Sequence, residues 1–213
     1  MSPIASIRQE YKQRSMSEKD VAVNPLLQFA GWWQEAAAAG ITEINAMTLA
    51  TASADGLPSA RIVLLKGYDE KGFHFFTNYE SYKGKQLAEN PRASLVFFWK
   101  ELERQVRVNG LVEKAPEAES DEYYNSRPEG SRIGAWTSPQ SQVIKSREWL
   151  EKREEELTEA FRQKPIVRPA NWGGYTVKPV SVEFWQGRPS RLHDRIQYTL
   201  QESNEWKIER LAP

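Results

Sequence analysis

Apolar positions in this chain recur mostly in twos. In "AMTLATAS", "ARIVLLKGY", "FHFFTN", "RASLVFFW" and "RQVRVNGLVEK" they alternate with polar ones or run briefly unbroken. A period of two sends alternate side chains to opposite faces, so these segments predict β-strands. "ADG" between the first two is a hairpin signal, and "DEKG" turns the chain into the third. Near the C-terminus, "GGYTVKPVSVEFWQG", "RLHDRIQYTLQ" and "WKIERLAP" predict three more strands.

Helical signals are fewer. Asn24-Pro25 is a cap followed by a first-turn proline, and Gly40 closes that helix. "SYKGKQLAEN" predicts a short helix stopped near Asn90-Pro91, and "APEAESDEYYNSRP" one ended by Pro128. From Ser138, "SPQSQVIKSREWLEKREEELTEAFRQ" predicts one long helix. Val143, Leu150, Leu157 and Phe161 form its narrow apolar stripe. Residues 1–20 are polar and aperiodic and read as a mobile arm. Residues 21–213 read as a single domain. The expected fold is mainly β with peripheral helices: one β-barrel or curved sheet.

Charge narrows the partners. The 29 Lys and Arg balance 29 Asp and Glu, whereas a general nucleic-acid binder carries a basic excess. Any anion site must come from local clusters. The absence of cysteine excludes disulfides and thiolate metal sites and fits a cytoplasmic setting. No signal-peptide core and no run of transmembrane length is present, so no membrane partner is expected. There is no P-loop, no GxSxG and no metal-type His/carboxylate spacing.

Several clusters suit anions. Read as a strand, "RLHDR" puts Arg191, His193 and Arg195 on one face. Guanidiniums about 7 Å apart repel by ~0.6 kcal/mol in water and ~2.4 kcal/mol at a half-buried site. A bound anion or electron-rich ring would relieve them, as would neighbouring carboxylates on a solvated face. Trp185 lies just upstream. In "YYNSRPEGS", Tyr123 and Arg127 share a helix face and Ser131 can cap the next turn, a set suited to phosphate or to ordinary capping. In "RIVLLK", Arg61 and Lys66 fall on opposite faces of a regular strand. Thr77 and Lys83 flank a turn into a helix. Gln105 shares a strand face with Arg107 and Asn109. Gln140 and Ser141 fall in the first turn of the expected long helix, where free N–H groups favour anions. His74 reads as a strand histidine without a special role. Phosphate-type sites without a nucleophile or a metal suggest that a bound phosphorylated cofactor does the chemistry.

Taken in order, "RIVLLK", "TN.....K", "ERQVRVNG", "SRPEGSRIGAW", "SPQS", "VEFWQG", "RLHDR" and the ending "WKIERLAP" closely resemble the pyridoxamine 5′-phosphate oxidase family, from about Ile7 onward. The resemblance implies a split β-barrel homodimer with FMN at the subunit interface. It implies oxidation of pyridoxamine or pyridoxine 5′-phosphate to pyridoxal 5′-phosphate, with dioxygen reduced to hydrogen peroxide. Arg61 and Lys83 then match ligands of the FMN phosphate, with Ser141 nearby and Val63, Phe76 and Tyr82 on the cofactor. Lys66, Thr77, Gln105 and Gln140 match residues along the ribityl chain and ring edge. Trp185 and Arg195 match contacts from the tail strands. Tyr123, Arg127 and Ser131, with Lys66, match the substrate-phosphate site. Arg191 and His193 match the catalytic pair holding the pyridine ring over the flavin. Arg8 and Tyr11 match a segment that folds over the substrate. Tyr82 departs from the pattern, standing where many members have arginine, and Phe76 stands where some have tyrosine. The competing readings are another split-barrel flavin reductase and a non-catalytic carrier of flavin or pyridoxal phosphate.

Overall fold

The computed structural model describes residues 10–213. The first helix, α1 (Pro25–Ala38), starts where Asn24 accepts the Leu26 N–H at 2.8 Å. Its buried residues Phe29, Trp32 and Ala36 form one stripe. The first hairpin joins β1 (Ala46–Ala52) to β2 (Pro58–Leu64) through a turn with Gly56 at φ 88°. A short strand, β3 (Gly67–Asp69), pairs with β4 (Gly72–Asn78). After α2 (Tyr82–Glu89) come β5 (Arg92–Trp99) and β6 (Arg104–Lys114). Three helices follow: α3 (Glu117–Ser126), α4 (Glu129–Thr137) and α5 (Arg147–Phe161). The chain ends in β7 (Trp172–Gln186), β8 (Asp194–Leu200) and β9 (Trp206–Arg210).

Among the described residues, all nine strands join one antiparallel sheet in the order β2-β1-β5-β6-β7-β4-β3, with β8 pairing β7 and β9 pairing β8. It curls into the half-barrel expected of a split barrel. The long strand β7 is the hub. Its first half pairs with β4 and its second half with β8, while β6 runs along both. Pro179 sits between those halves, beside a register shift at Asn109/Gly110. A proline, lacking an N–H, is tolerated where one side of the strand has no partner. The core seals between sheet and α1: Trp32 packs on Phe184 at 5.1 Å, and Phe29 on Phe73 at 4.9 Å.

Four local expectations need correction. The strand "ARIVLLKGY" breaks after Leu64, because the Leu65 N–H turns to the Asn45 carbonyl and the Lys66 N–H to the His74 carbonyl. The long helix does not start at Ser138. Residues 129–137 form their own helix, Ser141 takes φ 69°, and α5 begins at Arg147, capped by Ser146, whose hydroxyl accepts the Trp149 N–H. Val143 therefore lies outside the helix and is fully exposed, while Leu150, Leu157 and Phe161 are half-buried. Arg127 ends α3 in extended geometry at ψ 149°, so it does not continue the face of Tyr123. Finally, "RLHDR" is not one strand: Ser190 and Arg191 take positive φ, and β8 begins only at Asp194.

The expected arm enters the described residues at Glu10. There, Asp194 accepts the Met16 N–H at 3.0 Å, and Met16 is buried in the core. Arg8 lies outside the described residues. No described helix is long and apolar enough to cross a membrane.

Candidate functional site

A cavity of about 590 Å³ opens where β2, β4, α2 and the α3–α4 corner meet. It is lined by ten of the expected residues: Arg61, Val63, Lys66, Phe76, Thr77, Lys83, Tyr123, Arg127, Ser131 and Gln140. Two larger cavities, of about 650 and 1090 Å³, hold none of them. The break after Leu64 resolves the parity problem in "RIVLLK". Lys66 has left the strand and reaches the same cavity as Arg61.

Among the described residues, four cations line this cavity and no carboxylate does. Lys83 is buried on α2, its Nζ donating to Thr77 Oγ1 at 2.9 Å and lying within 3.5 Å of Gln140 Oε1. Burial and the neighbouring Arg61 charge lower its pKa to about 8. Arg61 donates to the hydroxyls of Thr51 and Ser59, each at 2.6 Å, and to the Leu49 carbonyl. Burial also lowers its pKa. Arg127 stacks over Trp172 at 4.6 Å, and its Nη1 is buried without a hydrogen-bond partner among the described residues. Desolvated cations that meet only neutral acceptors favour an incoming anion, because nothing else there compensates their charge.

Aromatic rings form one wall. Phe76 and Tyr123 stack at 4.0 Å, and Tyr123 lies nearly parallel to Trp172 at 6.1 Å. Lys66 approaches the Tyr123 ring at 5.9 Å. A recess of about 250 Å³ continues the cavity along Arg127, Ser131, Gln140 and Trp172. Ser131 lies in the first turn of α4, whose free N–H groups complement negative charge. The residues present fit a phosphorylated planar cofactor: cations for the phosphate and flat rings beside them.

A second cluster gathers around the far end of β7. Trp185 pairs with Gln105 on β6 and with Arg195 on β8. His193 lies 4.5 Å from Trp185, ring to ring, and Tyr11 meets both edge-on at 5.7 and 6.0 Å. Burial and the Arg191 charge lower the His193 pKa, which favours the neutral ring whose Nδ1 accepts the Arg188 N–H at 3.1 Å. Buried Glu183 holds Arg195 through two contacts, at 2.8 and 3.2 Å, and also takes Arg107. Glu183 therefore compensates the Arg195 charge of "RLHDR". Arg191 itself is exposed on its turn.

Other expected residues stand apart. Tyr82 is half exposed at the start of α2, and Ser141 lies on an exposed turn rather than in a helix. His74 bridges Asp69 and Thr176, each at 3.0 Å, and reaches neither cluster. Sequence reasoning missed Trp172 and Glu183. Trp172 enters the cavity only because β4 pairs with β7. Glu183 did leave a local signal, a single acid inside the apolar run "VSVEFW".

Fold and site define a curled half-barrel protein with a cationic, aromatic-walled cavity. A family model described as pyridoxamine 5′-phosphate oxidase matches residues 33–160. A second, described as the pyridoxine 5′-phosphate oxidase C-terminal dimerisation region, matches residues 172–213. The chain belongs to the pyridoxamine 5′-phosphate oxidase family. It is 58% identical, over the full length of both chains, to the pyridoxine/pyridoxamine 5′-phosphate oxidase of Cupriavidus pinatubonensis. It is 56% identical to the Nostoc sp. protein of the same description, covering 99% of this chain and 98% of that one. Among solved structures, PhzG from Burkholderia lata 383, in complex with tetrahydrophenazine-1-carboxylic acid, superposes with a TM-score of 0.89. It is 29% identical, covering 96% of this chain and all of that one.

Proposed function

We propose that this chain oxidises pyridoxamine or pyridoxine 5′-phosphate to pyridoxal 5′-phosphate, with FMN as cofactor and dioxygen as final acceptor, releasing hydrogen peroxide. The observation that carries this reading is the cavity where Arg61, Lys66, Lys83 and Arg127 converge without a carboxylate, in a chain of this family. Cofactor and substrate each bring a phosphate, and the cations divide accordingly. Arg61 and Lys83 hold the cofactor phosphate. Arg127, Lys66, Tyr123 and Ser131 hold that of the substrate.

Bound FMN supplies the two-electron acceptor. The protein's own residues bind, orient and exclude water. Thr77, Gln105 and Gln140 offer neutral hydrogen-bond groups along the cofactor, with Val63, Phe76, Tyr82 and Ser141 beside it. Arg191 and neutral His193 orient the pyridine ring, His193 as an anchor rather than a base. Tyr11 covers the ring, with Arg8 in the same role. Trp185 and Arg195 reach the cofactor from the tail. Orientation of this kind lowers the barrier mainly by removing translational and rotational freedom.

Within one protomer the two clusters occupy opposite ends of β7, so the reading requires two copies, with FMN at their interface. The match of residues 172–213 to a dimerisation region supports this arrangement. The test is an aerobic assay of FMN-loaded protein with pyridoxamine 5′-phosphate. Pyridoxal phosphate and peroxide are expected in equal amounts. Bound FMN with neither product would favour a reductase or a carrier instead.

A further inference from the structure

We propose that Glu103 is a positioning residue that clamps the N-terminal segment onto the tail turn and so holds Tyr11 against Trp185 and His193. The inference rests on the oxidase reading above, in which Tyr11 and His193 face the substrate.

Glu103 follows the 3-10 turn Lys100–Leu102 and takes φ 54°, ψ 41°, a left-handed conformation uncommon for a residue other than glycine. It is only 6% exposed. Among the described residues no cation pairs with its carboxylate. Instead, Oε2 accepts two successive backbone N–H groups, Lys12 at 2.9 Å and Gln13 at 3.1 Å. The Gln13 side chain adds a bond to the Glu101 carbonyl at 2.8 Å. Burying a carboxylate is costly unless donors compensate it, and here the donors belong to the arm.

The backbone of Glu103 binds the other partner. Its carbonyl accepts the Gly187 N–H at 2.7 Å and Gln186 Nε2 at 3.2 Å, at the turn leading to His193. Gly187 is buried, and a Cβ there would lie 2.7 Å from Tyr11 Cγ and 3.0 Å from Glu103 Cβ. The Tyr11 ring thus lies on bare backbone, a close approach that glycine permits. One residue therefore joins arm to tail: its side chain holds the segment carrying Tyr11, and its carbonyl holds the turn before His193. Further along, Asp194 fixes the arm again through the Met16 N–H.

The test compares E103G and E103Q in the FMN-loaded enzyme. Glycine tolerates the left-handed backbone and keeps the carbonyl bond, so E103G removes the side-chain clamp without straining the turn. E103G should raise KM for pyridoxamine 5′-phosphate about tenfold, as expected for loss of charge-assisted bonds, with kcat and FMN content unchanged. E103Q, which retains an acceptor oxygen, should recover part of that loss. Adding E103G to Tyr11→Ala should raise KM no further. An unchanged KM in E103G, or a KM rise accompanied by comparable losses of kcat and FMN content, would overturn the assignment. Hydrogen exchange at the Lys12 and Gln13 amides gives a readout independent of turnover. Protection in the wild type should vanish in E103G, and retained protection would refute the clamp. An inactive wild type would refute the oxidase reading, while the exchange result would still decide the clamp.

Discussion

Trp172 and Trp185 stand at opposite ends of the same strand, and each closes a different cluster of site residues. At about 3.3 Å per residue, the strand path between them runs roughly 43 Å. No single mononucleotide spans that path within one protomer.

A complementation experiment follows from that separation. Arg127→Ala impairs phosphorylated-substrate turnover at the cavity and Arg191→Ala at the tail, each in its own homodimer. If each site combines the cavity of one protomer with the tail of its partner, mixed dimers contain one intact site. Random reassortment should then restore about a quarter of wild-type activity. No recovery after demonstrated subunit exchange would mean that each site draws its cavity and tail from the same protomer, and would overturn the two-protomer reading.

Lys83 makes affinity and stability respond oppositely to pH. Its pKa near 8 means the cavity loses a cation as pH rises through 8, so FMN affinity should fall there. The unfolded chain keeps that proton until about 10.5. Between those values the unfolded state binds more protons, so ligand-free stability should rise with pH. Burial pushes the Tyr175 pKa up to about 12, so the folded chain holds its proton longer than the unfolded one. Stability from that group is lost as pH climbs from 10 to 12. FMN titrations and chemical denaturation between pH 7 and 11 would check both trends. Lys83→Met should remove the affinity step and the rising limb of stability.

Arg127 should discriminate phosphorylated from unphosphorylated substrate. Its stacked guanidinium and unpartnered Nη1 are placed for a charge-assisted bond. Arg127→Ala should cost about 2 kcal/mol, roughly thirtyfold in kcat/KM, toward pyridoxamine 5′-phosphate. Turnover of unphosphorylated pyridoxamine should change little. Equal losses on both substrates would remove the phosphate role.

Phe184 tests the core that supports both clusters. It is fully buried on β7 and meets Trp32 and Tyr198 edge-on at 5.1 and 5.6 Å. Phe184→Ala should destabilise the fold by about 3–5 kcal/mol, a large share of a typical domain's 5–15 kcal/mol. Urea denaturation would measure this. A loss below ~1 kcal/mol would mean that the packing between α1 and the sheet contributes little.

Local chemistry made much of the architecture legible. The hairpin after Ala52, the capped helix at Asn24 and the stop at Asn90 all formed where turn and cap residues act within a few positions. The misreadings arose where two local signals competed. Ser138-Pro139 reads as a helix start, but the positive φ at Ser141 breaks the backbone, and the helix is capped by Ser146 instead. "RLHDR" alternates like a strand, yet the left-handed backbone at Ser190 and Arg191 delays β8.

The sequence by itself determined most of the strands, the main caps, the absence of net charge and the identity of the clustered cations, because each follows from side-chain type and short-range spacing. Only the tertiary structure decided which of those residues meet. Pairing of β4 with β7 brings Trp172 beside Phe76 and Arg127, and the bend after Leu64 carries Lys66 to Arg61. Pairing of β7 with β8 gives Arg195 to Glu183, and the Glu103 carboxylate fastens a segment about ninety residues away in sequence. Such contacts depend on strand register and desolvation across the whole sheet, which no local pattern of residues encodes.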